Sequence, residues 1–163
     1  TAPDKLVTRD ELVRRLSRPR TERVVFTNGV FDLMHRGHAT YLSAARALGD
    51  VLVVGVNTDR STRRLGKGTE RPLVREADRA FVLAALECVD YVCLFDEDTP
   101  AALIDALLPD VLVKGGDYDL DGVVGRDTVE THGGRVEVIP FVEGYSTTDL
   151  VRRIRSNADD SSS

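Results

Sequence analysis

The sequence predicts a single α/β domain, a doubly wound Rossmann-like fold around a five-stranded parallel sheet. Two observations carry that expectation. Apolar periodicity switches repeatedly between short runs rich in Val, Ile and aromatics and longer stretches of helical period, as in stacked β-α-β units. The length of 163 residues, with 42% apolar and 30% charged, fits one domain that buries about two thirds of its unfolded surface.

Five strands are expected over 24–27, 51–56, 91–95, 111–113 and 136–139, each short and β-branched, as strands covered on both faces are. Ahead of the sheet, Thr8 and Glu11 have capping-box spacing before Leu12, Val13 and Leu16, which predicts a packing helix. A second helix over 37–48 puts Leu42, Ala45 and Leu48 on one face and stops at Gly49. A third spans 76–86, and a fourth opens at Thr99-Pro100, where Thr can cap and Pro suits the first turn. The last begins at Ser146 or Thr147 and turns Leu150, Val151 and Ile154 inward, before a polar SNADDSSS tail expected to be disordered. The expected division is a helical extension over 1–21, the sheet domain over 22–156 and a flexible tail over 157–163.

Bulk properties narrow the function classes. A net charge of −5 argues against a general nucleic-acid binder, which needs a positive surface to displace phosphate counterions. No apolar run approaches the roughly 20 residues that span a bilayer. The opening TAPDKLVTRDELVRR is charged where a secretory signal needs its apolar core, so a cytoplasmic, non-membrane protein is expected. Cys88 and Cys93 lie in an apolar stretch without partners at zinc spacing, and they read as buried free thiols.

Open parallel sheets bind ligands outside the carboxyl ends of their strands, and the unusual residues of this chain follow strands one, two, four and five. The strongest segment is Asn28-Gly29-Val30-Phe31-Asp32-Leu33-Met34-His35-Arg36-Gly37-His38. Gly29 permits close backbone approach, Gly37 removes a side chain between two imidazoles, and the helix amides near 37–40 can accept an anion. From the residues alone, the pair suits a polyphosphate. It also admits a structural or metal-binding role, although only Asp32 is at hand as a third ligand, and Asp32 can equally fix the glycine turn.

Other segments stay open between a bland and a chemical reading. Asn57 and Asp59 either cap a loop or read sugar hydroxyls. Arg63, Arg64 and Lys67 are either a solvated charge run or a phosphate clamp. Lys114-Gly115-Gly116-Asp117 is either a tight turn or a place for ribose hydroxyls at Asp117. Ser146, Thr147 and Thr148 either cap the last helix or hold a pyrophosphate-like group. No nucleophile-base pair stands out, which fits a reaction whose nucleophile is already an anion.

NGVFDLMHRGH resembles the signature of the cytidylyltransferase-like nucleotidyltransferases, with the glycine, phenylalanine, aspartate and both histidines in register. KGGDY at 114–118 and GYSTT at 144–148 are similar to later motifs of one branch, the ADP-heptose synthases (D-glycero-β-D-manno-heptose 1-phosphate adenylyltransferases). The resemblance covers about 22–155. One departure is Val30, where this branch commonly has Cys; its expected contribution is backbone and packing.

The resemblance implies that His35 and His38 contact the nucleotide phosphates and stabilise charge at the α-phosphorus. It also implies that a basic loop closes over the phosphates while Arg79 reaches toward them. Thr27, Asn28, Gly29, Val30, Phe31, Gly37, Lys114, Gly115, Asp117, Ser146, Thr147 and Thr148 are then expected at the nucleotide. Asn57, Asp59, Arg63, Arg64 and Lys67 are expected at the phosphates and sugar phosphate. ATP and heptose 1-phosphate are the implied substrates, with Mg2+ as cofactor and its protein ligands unassigned. Neither nucleic acid nor membrane is implied as a partner. A homodimer is compatible, and with no room for a fused sugar kinase a separate upstream kinase is expected. The alternatives are a CTP-dependent enzyme acting on an alcohol phosphate such as glycerol 3-phosphate, or a non-catalytic nucleotide-binding module. Glu143 before Gly144, where the glycerol phosphate branch generally carries an Arg-containing motif, and KGGDY favour the heptose branch.

Overall fold

The computed structural model describes residues 1–66, 70–116 and 119–162. In chain order its elements are α1 (Ala2–Lys5), α2 (Arg9–Leu16), β1 (Val24–Gly29), α3 (Arg36–Arg46), β2 (Val51–Asn57), α4 (Asp59–Arg64) and α5 (Glu76–Ala84). These are followed by β3 (Tyr91–Phe95), α6 (Ala101–Leu107), β4 (Val111–Gly115), a 3-10 turn (Leu120–Gly122), α7 (Arg126–Thr131), β5 (Arg135–Ile139) and α8 (Thr147–Ser161). All strand pairs are parallel, in the order β3-β2-β1-β4-β5. The expected five-stranded doubly wound domain is therefore the fold observed.

Alternation along the strands separates two cores. Val24 and Phe26 face one side of the sheet, where Leu12 and Leu16 of α2 and Leu103, Ile104 and Leu107 of α6 cover them. Val25, Leu52, Val54 and Val56 face the other, under Leu42 and Ala45 of α3 and Ala80 and Leu83 of α5. The capping pair expected before α2 is present, with the Glu11 amide donating to the Thr8 hydroxyl at 3.2 Å. Cys88 and Cys93 are both free, and only Cys93 is fully buried, which pushes its thiol up to about 11.

Three local expectations differ. The segment after β2, read as a loop, begins with α4, because the Thr58 hydroxyl accepts from the Ser61 amide and starts a helical turn. The fourth helix starts at Ala101 with Pro100 at its cap position, while the Thr99 hydroxyl accepts from the Ala101 amide at 3.4 Å. The polar tail expected to be disordered is the second half of α8, which runs to Ser161 with no Gly or Pro to stop it and with the Ser161 hydroxyl bonded back to the Asn157 carbonyl. No residue of α8 is buried, and Ile154, expected to face inward, is 61% exposed.

The sheet opens where its strand order reverses. The β1-β2 ladder runs from Val24↔Val51 to Gly29↔Val56, but β1 and β4 pair only at Val25↔Val111 and Phe26↔Leu112. Beyond those pairs lies the crevice at the carboxyl ends of β1 and β4, the position at which such sheets receive ligands.

Candidate active site

The two histidines are placed by the start of α3, and they cap it reciprocally. The Gly37 amide donates to His35 Nδ1 at 3.1 Å, and the His35 amide donates to His38 Nδ1 at 3.3 Å. Each Nδ1 is thereby an acceptor, so in the neutral ring the proton resides on Nε2, which is left as a donor for a ligand. The rings stack with centroids 3.9 Å apart, and the Phe31 ring meets His38 edge-on at 5.4 Å. Gly37 is required for this packing. A Cβ there would meet the His35 ring at 2.9 Å and Tyr145 Cβ at 2.8 Å. Gly29 has a similar reason, since a Cβ would strike the Phe31 ring at 2.9 Å. Phe31 itself holds a positive φ of 54°, which turns the chain back toward α3 at a modest cost in strain.

Burial lowers the pKa of both imidazoles, and burial followed by the neighbouring His35 brings His38 down to about 4. Both rings are therefore neutral at physiological pH and act as Nε2–H donors rather than as cations. A bound polyanion favours the protonated ring. In an NMR titration the His38 imidazole is expected to show a midpoint near 4, which moves upward when inorganic tripolyphosphate is added; a midpoint at the ordinary histidine value of about 6.5 contradicts this packing. The unfolded chain takes up a proton near the ordinary histidine value while the folded chain resists it, so stability falls as pH drops from there toward 4.

α8 closes the site from the other side. Its cap, Ser146, accepts from the Asp149 amide at 3.0 Å, and the Thr147 hydroxyl donates to the Leu33 carbonyl at 3.2 Å, tying the helix start to the histidine loop. The Tyr145 ring lies nearly parallel to His35, with centroids 6.1 Å apart. Both border a cavity of about 410 Å³, lined also by Ser146, Asp149, Arg152 and Arg153 among others. Across the crevice, Lys114 Nζ donates to Asn28 Oδ1 at 2.6 Å, and burial brings this ammonium down to about 8.

Several expected ligand contacts are occupied by the protein itself. Thr27 is fully buried; its hydroxyl pairs with the Tyr41 hydroxyl at 2.6 Å and reaches the Val113 carbonyl at 3.0 Å, bridging β1 to β4 where their ladder ends. Val30 and Phe31 are buried, so they shape the turn rather than line an open surface. Asn57 is buried and donates to the Ser61 hydroxyl. Arg64 pairs with Asp98 at 2.7 Å and with the Asp96 carbonyl, away from the histidines. Arg63 is exposed and forms no ion pair among the described residues. Thr148 is exposed at the start of α8. Lys67 and Asp117 lie outside the described residues.

The expectation that Arg79 reaches toward the phosphates is corrected. Its side chain is fully buried, donating to the Val74 carbonyl at 2.9 Å, the Val30 carbonyl at 2.7 Å, the Asn57 carbonyl at 2.8 Å and Asp59 Oδ1 at 2.7 Å. The guanidinium thus joins the carboxyl ends of β1 and β2, and it takes Asp59 away from any sugar hydroxyl. Asp32 is likewise enclosed. It accepts from Arg71 Nε at 2.6 Å and from the Leu73 and Val74 amides at 2.9 Å, so it anchors the 71–74 segment rather than the glycine turn. Among the described residues no group of three or more His, Cys, Asp or Glu converges on a metal position.

Arg152 and Arg153 escaped the sequence reading. A usable signal exists: with a helix starting at Ser146, a residue seven positions on returns to the same face, and side chains lean toward the helix N-terminus. That rule brings Arg153 back over the cavity.

The open parallel sheet thus carries a helix-capping histidine pair at its topological switch point. The chain belongs to the cytidylyltransferase-like family, whose model matches residues 26–153. It is 57% identical over 155 residues to the bifunctional protein HldE of Citrifermentans bemidjiense, covering 94% of this chain and 32% of that protein. It is 62% identical over 133 residues to the bifunctional protein HldE of Geobacter sulfurreducens, covering 82% and 27%. The chain therefore spans about a third of the length of the curated relatives it matches. Among solved structures, the lipopolysaccharide core biosynthesis protein of Thermoplasma volcanium GSS1 superposes with a TM-score of 0.62 at 30% identity, covering 77% of this chain and 99% of that one.

Proposed function

We propose that this chain transfers AMP from ATP to D-glycero-β-D-manno-heptose 1-phosphate, giving ADP-heptose and pyrophosphate. The observation that carries the proposal is the pair of imidazoles whose Nδ1 atoms are held by backbone amides, one of them facing a cavity walled by the start of α8. The high identity to the two HldE proteins supports the choice of branch.

The chemistry follows from that geometry. A phosphate oxygen of the sugar 1-phosphate attacks the α-phosphorus of ATP, a new P–O bond forms, and the bond to the β-phosphate breaks, with pyrophosphate taking the electron pair. The nucleophile is already ionised, so no general base is required. The protein's contribution is positioning and charge stabilisation. Neutral Nε2–H donors of His35 and His38 serve the oxygens of the α-phosphate, while the α8 amides, Arg152 and Arg153 provide positive potential for the remaining phosphates. Magnesium bound with ATP would supply positive charge for the leaving pyrophosphate, and among the described residues no cluster of His, Cys, Asp or Glu converges to hold it. No helix among the described residues is long and apolar enough to cross a membrane.

The test is pyrophosphate release from a panel pairing ATP or CTP with heptose 1-phosphate or glycerol 3-phosphate. Release is expected with ATP and heptose 1-phosphate alone. Release only with CTP and glycerol 3-phosphate moves the chain to the other branch, and binding without release in every pairing makes it a nucleotide-binding module.

A further inference from the structure

The sheet has two edges, β3 and β5, and they are finished differently. β3 is covered: Leu6 forms a parallel bridge with Val92, and the Val7 amide donates to the Val92 carbonyl at 3.1 Å. β5 pairs with β4 on one side, and among the described residues no strand or bridge lies along the other. The Arg135 amide donates to the Asp110 carbonyl at 3.0 Å, and the Ile139 carbonyl accepts from the Gly116 amide at 3.0 Å, so the backbone groups of 135 and 139 face β4. Alternate residues of a strand turn their amides and carbonyls to opposite edges, and those of Val136 and Val138 therefore point outward. No residue of β5 is fully buried. An edge left open in this way is a template for another strand.

We propose that β5 pairs antiparallel with β5 of a second copy of this chain, about a two-fold axis through Val136. The charges of the strand select that partner. Arg135 and Glu137 share one face of the sheet, where Arg135 Nε lies 2.9 Å from Glu137 Oε1, and their side chains stay 46% and 41% exposed. With Val136 opposite the partner's Val136, the outward amide and carbonyl of each exchange hydrogen bonds. Arg135 then stands directly across from the partner's Glu137, and the two-fold axis forms the same ion pair a second time. The neighbouring registers set Glu137 against the partner's Glu137, or Arg135 against the partner's Arg135, and like charges directly opposite oppose both. Assembly stops at two copies, because the pairing uses both β5 edges and each β3 edge is already covered by Leu6 and Val7. The inference concerns the edge of the sheet rather than the crevice, and it holds whichever reaction the crevice carries.

Sedimentation equilibrium of the full chain is expected to show a reversible monomer–dimer equilibrium. Val136→Pro removes an outward amide and leaves the bonds to β4 in place, so the dimer Kd is expected to rise about tenfold or more while the monomer stays folded. Arg135→Glu and Glu137→Arg change exposed side chains only, and each sets like charges across the axis; either is expected to weaken the dimer by about tenfold. Mixing these two variants in equal amounts brings opposite charges back to both cross-strand positions, so heterodimers are expected at wild-type concentrations. That complementation cannot come from the Arg135–Glu137 pair within one chain, since neither variant retains it. A wild-type chain that is monomeric at roughly millimolar concentration overturns the proposal. So does a dimer whose Kd is the same in every variant, a mixture no tighter than its separate components, or assembly beyond two copies.

Discussion

Replacing His38 with Ala is expected to lower turnover by about 10²- to 10³-fold while ATP affinity changes much less, the loss typical of removing one preorganised donor from the reacting phosphorus. His35→Ala is expected to behave alike. Both rings are neutral donors whose Nδ1 atoms are engaged by the start of α3, so what they offer grows as charge moves onto the α-phosphate oxygens. Steady-state kinetics with pyrophosphate detection separates the terms. Equal losses in turnover and in ATP binding contradict a role at the transition state. Because each ring also caps α3, the variants are expected to lose about 1 kcal/mol of stability, which a thermal melt measures independently.

Replacing Arg79 with Ala is expected to produce the largest loss of stability, about 3–5 kcal/mol. Four acceptors, three of them carbonyls of Val30, Asn57 and Val74 and the fourth the Asp59 carboxylate, lose their donor at once. For a domain of this size that amounts to a fall in melting temperature of roughly 6–20 °C. Arg79→Lys is expected to recover little, because one ammonium cannot reproduce the planar fork that serves separate carbonyls. A melting temperature within 2 °C or so of wild type in Arg79→Ala contradicts the structural role assigned to this residue. Turnover is expected to fall in both variants, since Arg79 joins the strand ends from which the histidine loop departs.

The resemblance and the geometry meet at the histidine segment and part company at the arginines. NGVFDLMHRGH was legible because its constraints are local: a glycine under the Phe31 ring, a second glycine between two rings, and a helix start that both histidines cap. Arg79 was not, because an arginine on a helix face has the same appearance in sequence whether its guanidinium meets a ligand or the carbonyls of two strands. Thr27 shows the same limit. Its place at the end of β1 suggested the nucleotide, and only the approach of Tyr41 from α3 and Val113 from β4 reveals that its hydroxyl faces inward.

The sequence by itself determined the alternation of strands and helices, the parallel sheet and the histidine turn, since hydrophobic period, capping residues and glycine positions act over a few neighbouring residues. Tertiary structure alone decided which polar side chains remain for a ligand. Asp32, Asp59, Arg64 and Arg79 are engaged by groups distant in the chain, whereas Phe141, Arg152 and Arg153 are left facing solvent or the cavity. The physical reason is that a buried polar group must find partners wherever the fold supplies them, and those partners are set by the packing of whole elements rather than by adjacent residues.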